Sequence, residues 1–93
     1  MAYSNSKKTY YRRLYVAYLI DNKINTVPAI VAATGMHTRT VQETIALLSA
    51  YDITCKYKGS RKNGHYVITH WAAIKKTWIK NNLLHIKDVL EFL

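Results

Sequence analysis

The sequence predicts a mainly α fold with one small β-hairpin (an α+β chain), and three observations carry that expectation. Apolar residues recur at helical spacing in three segments before residue 50 and again in the last third. Between Ile53 and His70 the period changes to two, the pattern of strands. With 93 residues the chain has room for one modest core, so residues 1–93 are expected to form a single domain.

The first helix is read from Tyr11, Leu14, Tyr15, Tyr18 and Leu19, which share one face between Lys7 and Asn22. Lys8 and Arg12 lie opposite, with Arg13 nearby, and residues 1–6 are polar and expected to be flexible. Asp21-Asn22-Lys23 is the polar break. A second helix starts around Val27-Pro28, because proline is tolerated in the first turn, where its missing N–H has no partner to lose. Thr26 or Val27 takes the cap position, and Thr26 is the better capping side chain. The helix stops at Gly35, which accepts the left-handed conformation. Val41, Ile45 and Leu48 mark a third helix over about 38–50. Its cap is Thr38, or else Thr40 with Glu43 forms a capping box.

In the hairpin, Ile53, Cys55 and Tyr57 alternate with Thr54, Lys56 and Lys58, and His65–His70 is rich in strand formers. Between them Gly59-Ser60-Arg61-Lys62-Asn63-Gly64 is a turn-rich loop ending in Asn-Gly. One register pairs Tyr57 with Tyr66 and Cys55 with Ile68; a tighter one pairs Tyr57 with His70. A C-terminal helix within 71–93 carries Ile79, Leu83, Ile86, Leu90 and Leu93 at steps of 4, 3, 4 and 3, widened by Trp78 and Val89. Trp71 and Ile74 plug the edge of the domain. The apolar seam has two readings. It packs on Tyr11, Leu14 and Tyr18 of the same chain, or it meets its twin in a homodimer, the arrangement favoured by so long a stripe.

Composition excludes several classes. Three glycines and one proline argue against linker-like or low-complexity chains. The single cysteine argues against a disulfide framework and suits a reducing cytoplasm. No apolar run approaches the roughly 20 residues of a membrane span, and Met1–Lys8 lacks the apolar stretch of a signal peptide. His37, Cys55, His65, His70 and His85 show no metal-ligand spacing, so neither metal nor cofactor is expected. The five acids are scattered and no glycine loop resembles a nucleotide-binding fingerprint, so no enzyme is expected. Cys55 falls on the apolar strand face and reads as a small core residue. Against those five acids stand 14 Lys and Arg, a net charge of +9, and such a balance points to a polyanion.

The stretch Ile30 to Ile45 has helix-turn-helix logic. Ile30, Met36, Val41 and Ile45 hold two helices together, Gly35 makes the turn, and the small Ala33 permits close approach. The first turns of the third helix then project Thr38, Arg39, Thr40, Gln42 and Glu43. Arginine suits guanine, glutamine suits adenine, and threonine suits phosphate or a thymine methyl. Glu43 is better placed as an intrahelical partner, since phosphates repel a carboxylate. With the hairpin added, residues 7–70 resemble the winged helix-turn-helix family of bacterial DNA-binding proteins. The most specific part is Ala33-Thr34-Gly35-Met36-His37-Thr38-Arg39-Thr40-Val41-Gln42. Val31 and the pair His37-Thr38 depart from the family's usual small residue and serine cap.

The resemblance implies that the third helix is a recognition helix and the segment 56–65 a basic wing beside it. It implies double-stranded DNA binding, as a transcriptional regulator. Thr38, Arg39, Thr40 and Gln42 would meet bases or phosphates, and Lys56, Lys58, Arg61 and Lys62 would grip the backbone. The competing class is a non-catalytic interaction or assembly module that uses the C-terminal apolar helix. Lys7, Lys8, Arg12 and Arg13 fit a solvated helix face and a backbone contact equally well. Of the tyrosines, Tyr11, Tyr15 and Tyr18 are assigned to the core, leaving Tyr10 and Tyr3 free.

Overall fold

Ser4 opens the first helix: its Oγ accepts from the Lys7 N–H at 3.1 Å, so α1 spans Asn5–Asp21 and starts ahead of Lys7. The structure, a computed structural model, describes residues 3–92. Of the stretch 1–6 expected to be flexible, Asn5 and Ser6 are thus helical. Tyr3 is tied down as well, its hydroxyl donating to Asp88 Oδ2 at 3.2 Å and its ring edge-on to His85. Met1 and Ala2 lie outside the described residues. Seven residues of α1 are buried: Tyr11, Leu14, Tyr15, Val16, Ala17, Leu19 and Ile20. That is more than one stripe, because α1 is the central helix and contacts α3 (Thr38–Ala46), strand β2 (His65–His70), α4 (Lys76–Asn81) and α5 (Leu83–Leu90).

Thr26 caps α2 (Val27–Thr34), its Oγ1 accepting from the Ala29 N–H at 3.2 Å with Pro28 in the first turn. Gly35 ends the helix at φ 77°, and its N–H bonds the Val31 carbonyl at 2.8 Å. The Thr34 hydroxyl accepts from the Met36 N–H at 3.1 Å, which shapes the turn that follows. This turn brings His37, not Thr38, to the cap position of α3, and no side chain caps it. Neither expected cap is therefore used, and Thr38 stands in the first turn with its side chain exposed. Ile30 and Val41 are fully buried between the two helices, with Ile45 beside them and Met36 at the edge. Ala33 is exposed, so the close approach expected of it is not made there. The helix expected to reach residue 50 tightens at Ala46 into a 3-10 turn, Leu47–Tyr51, and ends on Asp52 at φ 60°.

Strand β1 (Thr54–Lys58) pairs antiparallel with β2, placing Lys58 opposite His65, Tyr57 opposite Tyr66 and Cys55 opposite Ile68. This is the wider-loop register of the two. A bulge between Thr54 and Cys55 then shifts Thr54 onto His70.

The continuous C-terminal helix expected from the seam is two helices. Asn82 breaks it at φ −124°, with its side-chain Nδ2 donating to the Trp78 carbonyl at 2.7 Å. Asparagine disrupts helices by offering the backbone such a local alternative, and Asn22 does the same to the Tyr18 carbonyl at the end of α1. The seam nonetheless closes on α1: Ile79, Ile86 and Val89 are fully buried, Leu83 and Leu90 partly so. Of the two arrangements considered for it, this is the intrachain one. Trp71 and Ile74 pack at the core's edge, as expected, and Leu93 lies outside the described residues. No described helix is long and apolar enough to cross a membrane.

The turn between α2 and α3 offers a clean test. A Cβ on Gly35 would meet nothing within 4 Å, so its only penalty is the left-handed backbone at φ 77°. Gly35→Ala is expected to lower unfolding free energy by about 1–2 kcal/mol with no loss of helix content, and Gly35→Asn by less. Urea melts of the three proteins measure this; equal midpoints would mean the turn relaxes freely.

Candidate nucleic-acid interface

Packing of α3 against α1 and α2 decides which of its side chains are free. Val41, Thr44 and Ile45 face inward, and the Thr44 hydroxyl donates to the Thr40 carbonyl at 2.7 Å, satisfying the buried group. Thr38, Arg39, Gln42 and Glu43 are exposed, while Thr40 is half-buried. Arg39 Nε donates to Glu43 Oε1 at 3.1 Å, one helical turn away, with the two side chains 89% and 61% exposed. Glu43 is thus the intrahelical partner expected of it. A pair so wet contributes only about 0.3–0.5 kcal/mol, and a better partner displaces it easily.

The hairpin is organised by Tyr57. Its hydroxyl is shared between the Ser60 and Arg61 carbonyls at 3.3 and 3.4 Å, and its ring meets Tyr66 edge-on at 4.9 Å. Buried Gly64 sits directly beneath that ring, where a side chain would collide with it. Gly59 turns the chain at φ 96°, and the Asn63 N–H donates to Ser60 Oγ at 3.1 Å. The hairpin is also pinned to the body, since the Tyr66 N–H donates to the Asn25 carbonyl at 2.8 Å just ahead of α2. Arg61 and Lys62 therefore project from a braced loop.

Gln42 lies where helix and hairpin meet. It lines a cleft of about 700 Å³ together with Pro28, Tyr57, Arg61 and Lys62. It also lines a second cleft of about 650 Å³ that runs along Ala46, Ser49 and Asp52 toward the base of the hairpin. Of the residues singled out in sequence, these three, Gln42, Arg61 and Lys62, share one concavity. Thr40 instead faces a small hollow between α1 and α3, with Arg12, Arg13 and Glu43. Thr38 and Arg39 stand outside both larger clefts on the outer surface of α3. Lys56 and Lys58 are exposed at strand positions that alternate with Cys55 and Tyr57, which places them on the hairpin's other face.

Three of the four cations on α1 are engaged internally. Lys7 lies over the Tyr3 and Tyr11 rings at 5.1 and 5.4 Å, and Lys8 approaches Glu91 at 3.9 Å. Arg13 donates to the Tyr51 hydroxyl at 2.8 Å and stacks over its ring. Tyr10 and Tyr3, expected to be free, are both held: Tyr10 against Tyr11 and Tyr51, Tyr3 as described. Two tyrosines line the cleft, the half-buried Tyr66 and the more open Tyr57, 47% exposed, although strand alternation assigns Tyr57 to the apolar face. Its place next to the loop was the available signal, because the strand residue nearest a turn overhangs the core. Cys55 is half-buried, and burial pushes its thiol pKa up, the wrong direction for a nucleophile. Among the described residues no group of three or more His, Cys, Asp or Glu could hold a metal ion.

Comparisons with known proteins bear on this geometry. The family described as winged helix-turn helix matches residues 5–90. The crystal structure of a DUF2131 family protein from Shewanella amazonensis SB2B is similar over 97% of this chain and 96% of its own, with a TM-score of 0.90 and 27% identity. No curated protein matches the chain.

The bracing of the loop predicts a local phenotype. A methyl group at Gly64 must displace both the Tyr57 ring and the Ser60 carbonyl. Gly64→Ala is expected to ease opening of the hairpin by about 1–3 kcal/mol, accelerating amide exchange over Tyr57–Tyr66 about tenfold or more. Exchange within α1 should stay as slow as before. Unchanged hairpin protection would show that Tyr57 does not brace the loop.

Proposed function

The chain belongs to the winged helix-turn-helix family, and from that premise we propose that it binds double-stranded DNA as a transcriptional regulator without catalytic activity. In this reading α3 enters the major groove and the loop of the hairpin rests on the flanking backbone. Arg39 and Gln42 read base edges, and Thr38 and Thr40 meet phosphates at the uncapped start of α3. Arg61 and Lys62 grip the backbone from the wing, while Lys56 and Lys58 add charge from its far face.

The observation that carries the reading is the convergence of Gln42, Arg61 and Lys62 on one cleft between α3 and a braced loop. Cations that line the same cleft as a base-reading side chain suit a duplex, in which groove and backbone lie side by side. The charge distribution supports the same conclusion. Of the five acids, Asp21 pairs with Lys76, Glu43 with Arg39 and Glu91 with Lys8, while Asp88 accepts from Tyr3. The basic wing has no such neutralising partner among the described residues. Family membership points to DNA, whereas fold alone fixes no function, so the wing and α3 carry the finer reading. Should two copies pair on a two-fold site through the C-terminal helices, Trp78 and Leu84, 41% and 76% exposed, are the large apolar side chains open to that contact.

Duplex titrations monitored by fluorescence anisotropy test the proposal. Binding to random-sequence duplex is expected at about 50 mM salt, weakening linearly in log K against log salt. Replacing Arg61 and Lys62 by Ala should weaken binding to every duplex and flatten that slope by up to about two units. Arg39→Ala should instead lose about 1–3 kcal/mol at one position of a selected site. No binding to any duplex at that salt would sink the DNA reading and favour an interaction module.

A further inference from the structure

The only acid on α3 stands beside its only arginine. Glu43 accepts from Arg39 Nε at 3.1 Å on the outer face of the helix. On its other side it lines the hollow that also holds Arg12 and Arg13, the latter already bonded to the Tyr51 hydroxyl. A carboxylate in this position is electrostatically adverse for a helix that is to approach phosphates. We propose that Glu43 is a positioning residue that gives α3 its sequence discrimination by holding Arg39 through the Nε edge. The inference rests on the duplex-DNA reading and deepens it.

The argument follows from the donors of the guanidinium. Arginine has five N–H groups, and with Nε engaged by Glu43 the two terminal nitrogens remain as an end-on fork. That fork matches the O6 and N7 acceptors of guanine in the major groove. The held pair is also close to neutral as a unit. A near-neutral group gains little from a phosphate, which any sequence supplies, because its carboxylate is repelled as its guanidinium is attracted. It still gains from a guanine edge, which offers two acceptors without a net charge. Glu43 therefore weakens binding to all duplexes, but weakens the correct one least. The pair's high exposure keeps it exchangeable, so Glu43 directs Arg39 without locking it.

The test compares wild type, Glu43→Gln and Glu43→Asp on a selected duplex and a random-sequence duplex, with salt titrations. Gln keeps the length and an acceptor for Nε but removes the charge. It is expected to tighten random-duplex binding about 3–10-fold at low salt and to steepen the salt slope by up to about one unit. The selected duplex should gain less, so the ratio of the two affinities falls. Asp keeps the charge but is one methylene shorter, so it meets Arg39 only by drawing the guanidinium out of its Nε-held direction, and it should lose affinity for the selected duplex alone. In an Arg39→Ala background, Glu43→Gln should leave the ratio unchanged. Equal tightening on both duplexes would make Glu43 a simple repulsive charge and overturn the inference. So would an unchanged ratio, or a wild type that binds every duplex equally. A wild type that binds no duplex removes the DNA reading itself, and this inference with it.

Discussion

Burial of the middle of α1, from Tyr11 to Ile20, is the constraint on which the rest of the molecule depends. Val16 and Ala17 are fully buried, and Leu14, Leu19 and Ile20 nearly so. Each fully buried large aliphatic side chain contributes about 1.5–3 kcal/mol, and a small domain has few of them. Four other elements, α3, β2, α4 and α5, all pack on this one helix. Ala17 matters by being small, since a larger residue there would force neighbouring elements outward. The orientation of α3 is therefore set from behind. Its inward residues Val41, Thr44 and Ile45 are fixed by the core, and what remains outward is a narrow strip of polar side chains.

The same core decides where positive charge is free to act. Aromatic rings and acids take up Lys7, Lys8 and Arg13 on α1, and Asp21 takes up Lys76. The net charge of +9 is thus not spread evenly in effect, and among the described residues the hairpin cations form no ion pair, as is also true of Arg12, Lys23, Lys75, Lys80 and Lys87 elsewhere. A flexible loop would present those cations at an entropic cost on binding. Here Tyr57, Gly64 and the Tyr66-to-Asn25 hydrogen bond fix the loop beforehand. Tyrosine, abundant in this chain, serves in three ways: as core, as a partner for cations and as the brace of the wing.

Much of this was legible in sequence, and the exceptions have physical causes. Periodicity located the first three helices, Gly35 located the turn, and alternation located the hairpin together with its observed register as one of two. Helical spacing finds one buried stripe, so it missed Val16, Ala17 and Ile20, which become buried only because α1 is surrounded. The seam from Ile79 to Leu90 ran unbroken through Asn82 because apolar spacing is blind to a side chain that captures its own backbone. His37 displaced the expected threonine cap because the turn after Gly35 sets the helix start, whatever capping chemistry lies downstream. For the site, the residue types were legible but their grouping was not. Alternation separates Lys56 and Lys58 from Tyr57, yet only the hairpin's placement against α3 shows which face looks toward Gln42.

That grouping bears on a general difficulty for small basic proteins. A free cation gains from any phosphate, and so adds affinity without adding discrimination. Adding more lysines to such a chain raises grip on every duplex and leaves the correct sequence no better distinguished. Discrimination needs groups whose energy depends on the base they meet, and those groups must be kept from acting as ordinary phosphate binders. Gln42 meets this condition because it is neutral. Arg39 meets it only if something offsets its charge and biases its direction, and among the described residues Glu43 is the one neighbour whose side chain is bonded to it. Wing and helix can then differ in kind. The wing keeps unpaired cations on a rigid loop, while the helix carries one neutral reader and one cation whose charge is balanced beside it.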